Sequence, residues 1–272
     1  MTVDSHIHLL PERLGAAVRR FFADRLGYEA WAYPVDHHAV CARLAEEGVE
    51  EAWTLPYAHK PDVSDGLNQA TATIAAGQAD GPVRIVAGAT THPGDDEPVD
   101  AVRRAVEDLG ARVLKLHCSV GDYSPDDPRL DAVWAYTSSI SLPTVVHAGH
   151  AISGHTAETE LEPIATVARR WPQARIIIAH CGHAAAATAL DLVARHRELY
   201  VDLTPVVFEA VLAPPGAVAA VGDKVLFGSD APNTFVTVTD SLAWVAGMGL
   251  DPAIHAAVTG GNARRLQNEI RA

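Results

Sequence analysis

Eight side chains that can bind a metal or carry a proton recur at ordered points of this 272-residue chain: His6, His8, Lys115, His117, His147, His180, Asp202 and Asp230. The first two sit in VDSHIH, residues 3–8. In a β-strand, residues two apart point to the same face, so His6 and His8 project side by side with Asp4 one step below. Such a pair either bites a metal ion or is two ordinary polar residues, and this stretch alone does not choose between them. The others close similar apolar runs: KLH ends in His117, PTVVH in His147 and RIIIAH in His180, while Asp202 lies in YVDL and Asp230 ends FGSD. A single buried histidine is usually a hydrogen-bonded core residue. Histidines at four strand ends and an aspartate at another, gathered on one rim, cost free energy unless they pair or bind an ion. Neutral imidazoles with a carboxylate are the ligand set of Zn²⁺ and similar divalent ions.

The elements that must position these groups alternate in kind. Short β-rich runs at 2–8, 49–55, 83–90, 112–118, 143–148, 175–180, 199–204 and 224–229 read as strands. Helical patterns at 36–47, 64–79, 98–109, 128–139, 162–170, 184–196 and 239–248 separate them, with stops at Gly48, Gly81-Pro82, Gly110, Pro143 and Gly222. Eight strand–helix repeats predict an α/β fold, a (β/α)8 TIM barrel in one domain spanning 1–272. In such a barrel the active site lies at the C-terminal ends of the strands, where the histidines fall. His117, His147 and His180 follow one another at intervals of 30 and 33 residues, about one repeat each. Parity places Ile176, Ile178 and His180 on one face, and Val145 and His147 on one face. It turns Cys118 and Cys181 towards the helices, as packing. Residues 9–36 form one long insertion with Phe21, Phe22, Tyr28, Trp31 and Tyr33, read equally as surface helix or as pocket wall.

A net charge of −13 argues against a nucleic-acid or anionic-membrane surface. Three scattered cysteines form no disulfide framework, and no apolar run approaches a membrane span. The expectation is a cytoplasmic protein acting on a small-molecule substrate, with a homodimer left open.

Taken together, VDSHIHL, KLHCSVGDYSPDDPRL, LPTVVHAGH, IIIAHCG, VLFGSDAP and GGNARRL resemble the amidohydrolase superfamily. The likeness is to the branch that contains aminocarboxymuconate-semialdehyde decarboxylase and metal-dependent hydrolases. It runs in order from residue 2 to about 266. The resemblance implies a distorted barrel with one divalent metal, Zn²⁺ first and Mn²⁺ second, held by His6, His8, His147 and Asp230. It implies Asp230 and His180 as catalytic groups, the first exchanging a proton with the attacking water and the second shuttling a proton or polarising the substrate. Lys115 and His117 are left as substrate contacts, Lys115 as a plain amine paired with Asp4 or with a substrate carboxylate rather than as a carboxylated bridge between two metals. Hydrolysis of an amide, lactone or related carboxyl derivative is the first expectation, since a bound metal yields a nucleophilic water at neutral pH. Non-oxidative decarboxylation of a small acid is the second, and a non-catalytic ligand-binding barrel the third. The chain is shorter than typical decarboxylases of the branch.

Overall fold

The computed structural model describes residues 1–27, 31–149, 157–207 and 209–271. Tyr28, His150 and His155 lie outside them. Eight parallel strands form one sheet in sequence order: β1 (Thr2–Ile7), β2 (Val49–Thr54), β3 (Arg84–Thr90), β4 (Val113–Leu116), β5 (Thr144–Val146), β6 (Ile176–Ile178), β7 (Leu199–Asp202) and β8 (Val225–Leu226). Each lies inside one of the eight predicted runs. Helices fill the connections, among them α1 (Glu12–Leu26) and α2 (His37–Glu46), and the predicted helical stretches recur within a few residues at each end.

β8 is too short to ladder fully with β1, so the segment after it closes the ring. Ser5 donates its backbone N–H to Phe227 O at 2.9 Å, Asp230 donates to His6 O at 2.9 Å, and His8 donates to Ala231 O at 2.6 Å. Gly228 makes this approach possible: a Cβ there would stand 2.2 Å from Thr204 Oγ1 and 2.7 Å from His6 Cβ.

The core has two layers. The inner one draws Val3, Trp53, Val86, Val113, Val145, Ile177, Tyr200 and Leu226 from the eight strands, and Ala263 and Leu266 from the C-terminal helix join it. The outer layer, between strands and helices, takes Ile7, Leu114, Leu116, Val146, Ile176 and Ile178 together with Cys41, Cys118 and Cys181. The cysteines are buried and free, as expected.

The parity expected at strand 6 is corrected by this layering. Ile177 faces the barrel interior, while Ile176 and Ile178 face the helices. The strand ends at Ile178, and His180, Cys181 and Gly182 follow with φ of 55°, 48° and 67°. That left-handed run swings His180 inward, which strand alternation cannot do.

The insertion proves to be both things it was read as. Leu14, Val18 and Phe22 recur every four residues along one face of α1, and Gly27 at φ 64° stops the helix. The opposite end of the segment is pinned: Arg19 donates to Pro34 O and Pro232 O, and Trp31 stacks on Phe235 at 4.4 Å. No helix among the described residues is long and apolar enough to cross a membrane.

Candidate active site

The rim at the C-terminal ends of the strands gathers His6, His8, Lys115, His117, His147, His180, Asp202 and Asp230. Lys115, His6 and Asp202 are completely buried, and the Asp230 side chain keeps 18% of its surface exposed. His8 and Asp230 line a cavity of about 70 Å³ with His117, His147, His180 and Tyr57, walled by Val18, Phe22, Val206, Val207 and Asn233.

Both strand-1 imidazoles are oriented from behind. His8 Nδ1 donates to Leu55 O at 2.7 Å, and since a carbonyl only accepts, the proton sits on Nδ1. His6 Nδ1 donates to Asp202 Oδ2 at 2.9 Å. His8 therefore presents a bare Nε2 lone pair to the site, and the Nε2 of His6 is an acceptor that receives the Lys115 amine at 3.1 Å. His6 is held neutral, its pKa driven well below the usual imidazole range by burial and by the neighbouring Lys115 and His8 charges.

His6, His8 and Asp230 place one ligand atom each within 4.8 Å of one another. His8 Nε2 stands 3.1 Å from Asp230 Oδ1, and His6 Nε2 stands 3.9 Å from the same oxygen. At His8 an imidazole lone pair faces a carboxylate oxygen, two acceptors that repel unless a cation or an extra proton lies between them. The donor set, two neutral imidazoles and a carboxylate, suits a divalent ion. The residues present thus fit the metal that the sequence implied. His147 is not part of this trio. Its ring stacks on His117 at 3.9 Å and meets His180 edge-on at 4.9 Å, on the other side of the cavity.

Asp202 does more than the sequence suggested, where it was only a polar strand end. While Oδ2 accepts from His6, Oδ1 accepts the backbone N–H of His180 at 2.8 Å and of Thr204 at 3.1 Å. One buried carboxylate so fixes both an imidazole of the trio and the left-handed turn that carries His180. His180 Nδ1 in turn approaches Thr204 O at 3.3 Å, leaving Nε2 as an acceptor. Burial, with His147 and His6 nearby, pushes its pKa well below the usual value.

Lys115 does not meet Asp4. Asp4 accepts from Ser229 Oγ and from the Ser229 and His6 backbone N–H groups, and its burial raises its pKa to about 7. The partner of the Lys115 Nζ is His6 Nε2 at 3.1 Å, and burial lowers the amine to about 8, with Asp202 and Asp230 opposing that shift. The irregular register between Asp4 and Ile7 accounts for the difference, because it shifts His6 relative to Asp4 and β2.

Tyr57 was not anticipated. It follows β2 in LPYAHK, a strand end by the same rule that found the histidines, but an aromatic residue carries no ligand signal. Its ring packs edge-on against His8 at 5.3 Å and tilted against His117 at 5.0 Å. Phe22 and Val18 of α1 line the same cavity. Elsewhere, His183 pairs with Glu209 at 3.2 Å just ahead of the next helix, and His37 and His92 bond backbone carbonyls.

The fold is shared with solved structures of low sequence identity. An uncharacterized TIM-barrel protein from Bordetella bronchiseptica superposes with a TM-score of 0.77 at 18% identity, covering 98% of each chain. A 5-carboxyvanillate decarboxylase from Novosphingobium aromaticivorans, complexed with manganese and 4-hydroxy-3-methoxy-5-nitrobenzoic acid, gives 0.73 at 13% identity over 98% of this chain and 96% of its own. A 2,6-dihydroxybenzoate decarboxylase complexed with 2,6-dihydroxybenzoate gives 0.71 at 16% identity over 98% of each chain. A search of curated proteins returns no match. The family model described as Amidohydrolase matches residues 3–266. With its paired strand-1 histidines and its strand-8 aspartate on the rim of a parallel barrel, the chain belongs to the amidohydrolase family.

Proposed function

We propose that this protein is a metal-dependent decarboxylase of a small carboxylic acid, in preference to the hydrolase that the sequence suggested first. The reading is supported by the fold it shares with two aromatic-acid decarboxylases, one of them holding manganese. The observation that carries it in this chain is the mixed lining of the cavity, where His8, His180 and Asp230 share the wall with Val18, Phe22, Val206 and Val207. A carboxylate is poorly solvated among such apolar side chains, and loss of CO2 followed by protonation of the carbon removes its charge.

A divalent ion, Zn²⁺ or Mn²⁺, held by His6, His8 and Asp230 with His147 as a further candidate ligand, would supply positive charge to the substrate carboxylate. The protein's own residues do the rest. Leu55 O and Asp202 keep the two imidazoles in the tautomer that presents Nε2. When the carbon–carbon bond breaks, CO2 departs, the electron pair stays on the substrate carbon, and Asp230, having first taken a proton from solvent, delivers it in place of the carboxylate and returns to its ionised form. His180, with Nδ1 turned to Thr204 O, takes up a proton from a substrate hydroxyl or from solvent.

That same tautomer favours a second reading. An acceptor Nε2 on His180 is a base, and a base beside a metal site also suits removal of a proton from an attacking water. One experiment separates the two. The protein, supplied in turn with Mn²⁺ and Zn²⁺, is incubated with a panel of hydroxybenzoates and unsaturated acids and with a panel of lactones and amides. Release of CO2 from the first panel supports the decarboxylase; acid production from the second, without CO2 from the first, replaces it with the hydrolase.

A further inference from the structure

The cavity at His8 and Asp230, about 70 Å³, is not the whole of the space open to a ligand. A second chamber of about 340 Å³ lies beneath α1. Val18, Phe22, Tyr57 and His117 line both, so the two share a wall and a ligand can span them. The larger chamber adds the apolar faces of Leu14 and Phe21, and it presents far more apolar than polar surface. At about 30 Å³ for each heavy atom, the volume of a water in the liquid, it takes about ten such atoms while the smaller one takes about two.

A separate observation at the seam also points to a ligand. His117 Nδ1 is buried with no hydrogen-bond partner. A buried polar atom left unpaired is costly, and a ligand carboxylate in the small cavity, which His117 also lines, would satisfy it.

We propose that the substrate is an amphipathic carboxylic acid, its carboxylate in the small cavity and an apolar tail of about ten heavy atoms in the chamber beneath α1. This rests on the carboxylic-acid reading given above and adds the tail. The insertion that supplies α1 thereby sets substrate length. Ala17, exposed on the rim of the chamber and absent from the lining of the smaller cavity, is a specificity residue that can be changed without replacing any residue of the rim.

The test is binding, read apart from turnover. Dissociation constants of butanoate, hexanoate, octanoate and decanoate are measured by calorimetry on Mn²⁺-supplemented protein. Burial of each added methylene should tighten binding by about fourfold. Ala17→Trp should flatten that gain, weakening decanoate at least tenfold while leaving butanoate unchanged. A dissociation constant independent of chain length in the unmodified protein overturns the proposal. So does an Ala17→Trp variant that weakens butanoate and decanoate alike, or 1-decanol binding as tightly as decanoate. A clear chain-length gain with no CO2 released from any of the hydroxybenzoates and unsaturated acids overturns the decarboxylase reading and leaves the tail-binding chamber standing.

Discussion

Asp202 Oδ2 lies 2.9 Å from His6 Nδ1, with both side chains sealed from solvent. The pair is the backing of the candidate metal centre, and its loss should be felt at the metal without removal of any ligand. Asp202→Ala is expected to weaken divalent-metal affinity by about 10–100-fold, the usual scale for an outer partner of a ligating histidine. Titration with Mn²⁺ or Zn²⁺ followed by elemental analysis reads it directly. Unchanged affinity would show that His6 needs no help to present Nε2.

The ligands themselves should behave more severely. Replacing His6 and His8 together by Ala leaves Asp230 alone of the trio, and metal content after dialysis should fall from about one ion per chain to a background level, as a three-ligand divalent site requires. Full occupancy in that double variant would mean that the metal is held elsewhere.

Asp230→Asn keeps the shape of the carboxylate and removes its ability to carry a proton. Turnover should drop by about 10²–10⁴-fold, the range for loss of a general acid–base group. Metal content should fall less than in the histidine double variant. Near-native turnover by the Asn variant would transfer the proton role to His180.

Lys115 is sealed against His6, and its amine has no room to be idle. An unmodified amine predicts a metal-to-protein ratio near one that added bicarbonate does not raise. A carboxylated lysine would instead bridge two ions. A ratio near two, rising with bicarbonate, would decide for the carboxylated form; mass spectrometry of the intact chain would show the added mass.

The buried imidazoles make stability depend on pH in a definite direction. His6, His117 and His180 all have pKa values driven well below 6.5, first by burial. Below pH 6.5 the unfolded chain binds protons that the folded chain refuses, so stability falls as the pH drops, by about 1.4 kcal/mol per pH unit for each such histidine. Asp4, raised to about 7, works in the opposite sense, favouring the fold as the pH falls. The comparison of metal-free protein with His117→Phe isolates one group. Urea melts between pH 7.5 and 5.5 should show a shallower acid loss in the variant; equal slopes would show that His117 titrates normally.

Much of this was legible in the residues. The eight strands followed from β-branched runs between helical periods, and the rim followed from polar side chains that had no other reason to end so many strands. His6, His8 and Asp230 stood out by type and position, and the family resemblance named them as ligands. What failed did so where regular geometry stops. Strand parity holds only while the chain is a strand, and β6 lasts three residues before three left-handed ones. Asp4 and Lys115 were joined by an alternation that the irregular register of β1 does not keep. Asp202 and Tyr57 act through neighbours brought from distant segments, which spacing cannot report. His147, a ligand by the resemblance, lines the same cavity with its ring stacked on His117, while His6, His8 and Asp230 form the close trio.

The closure of the barrel has a consequence for how the chain reaches its native state. Ser5 and Phe227 are joined across 222 residues, and the same seam carries the bonds from Asp230 to His6 and from His8 to Ala231. β1 is made before the other seven strands, yet this edge of it stays unpaired until the segment after β8 has been made. Contacts of such long span form late, because the intervening loop must first be ordered. Completion of the ring and assembly of the candidate site are therefore one event: a chain cut before Asp230 keeps His6 and His8 but lacks both the seam bonds of Asp230 and Ala231 and the third member of the trio.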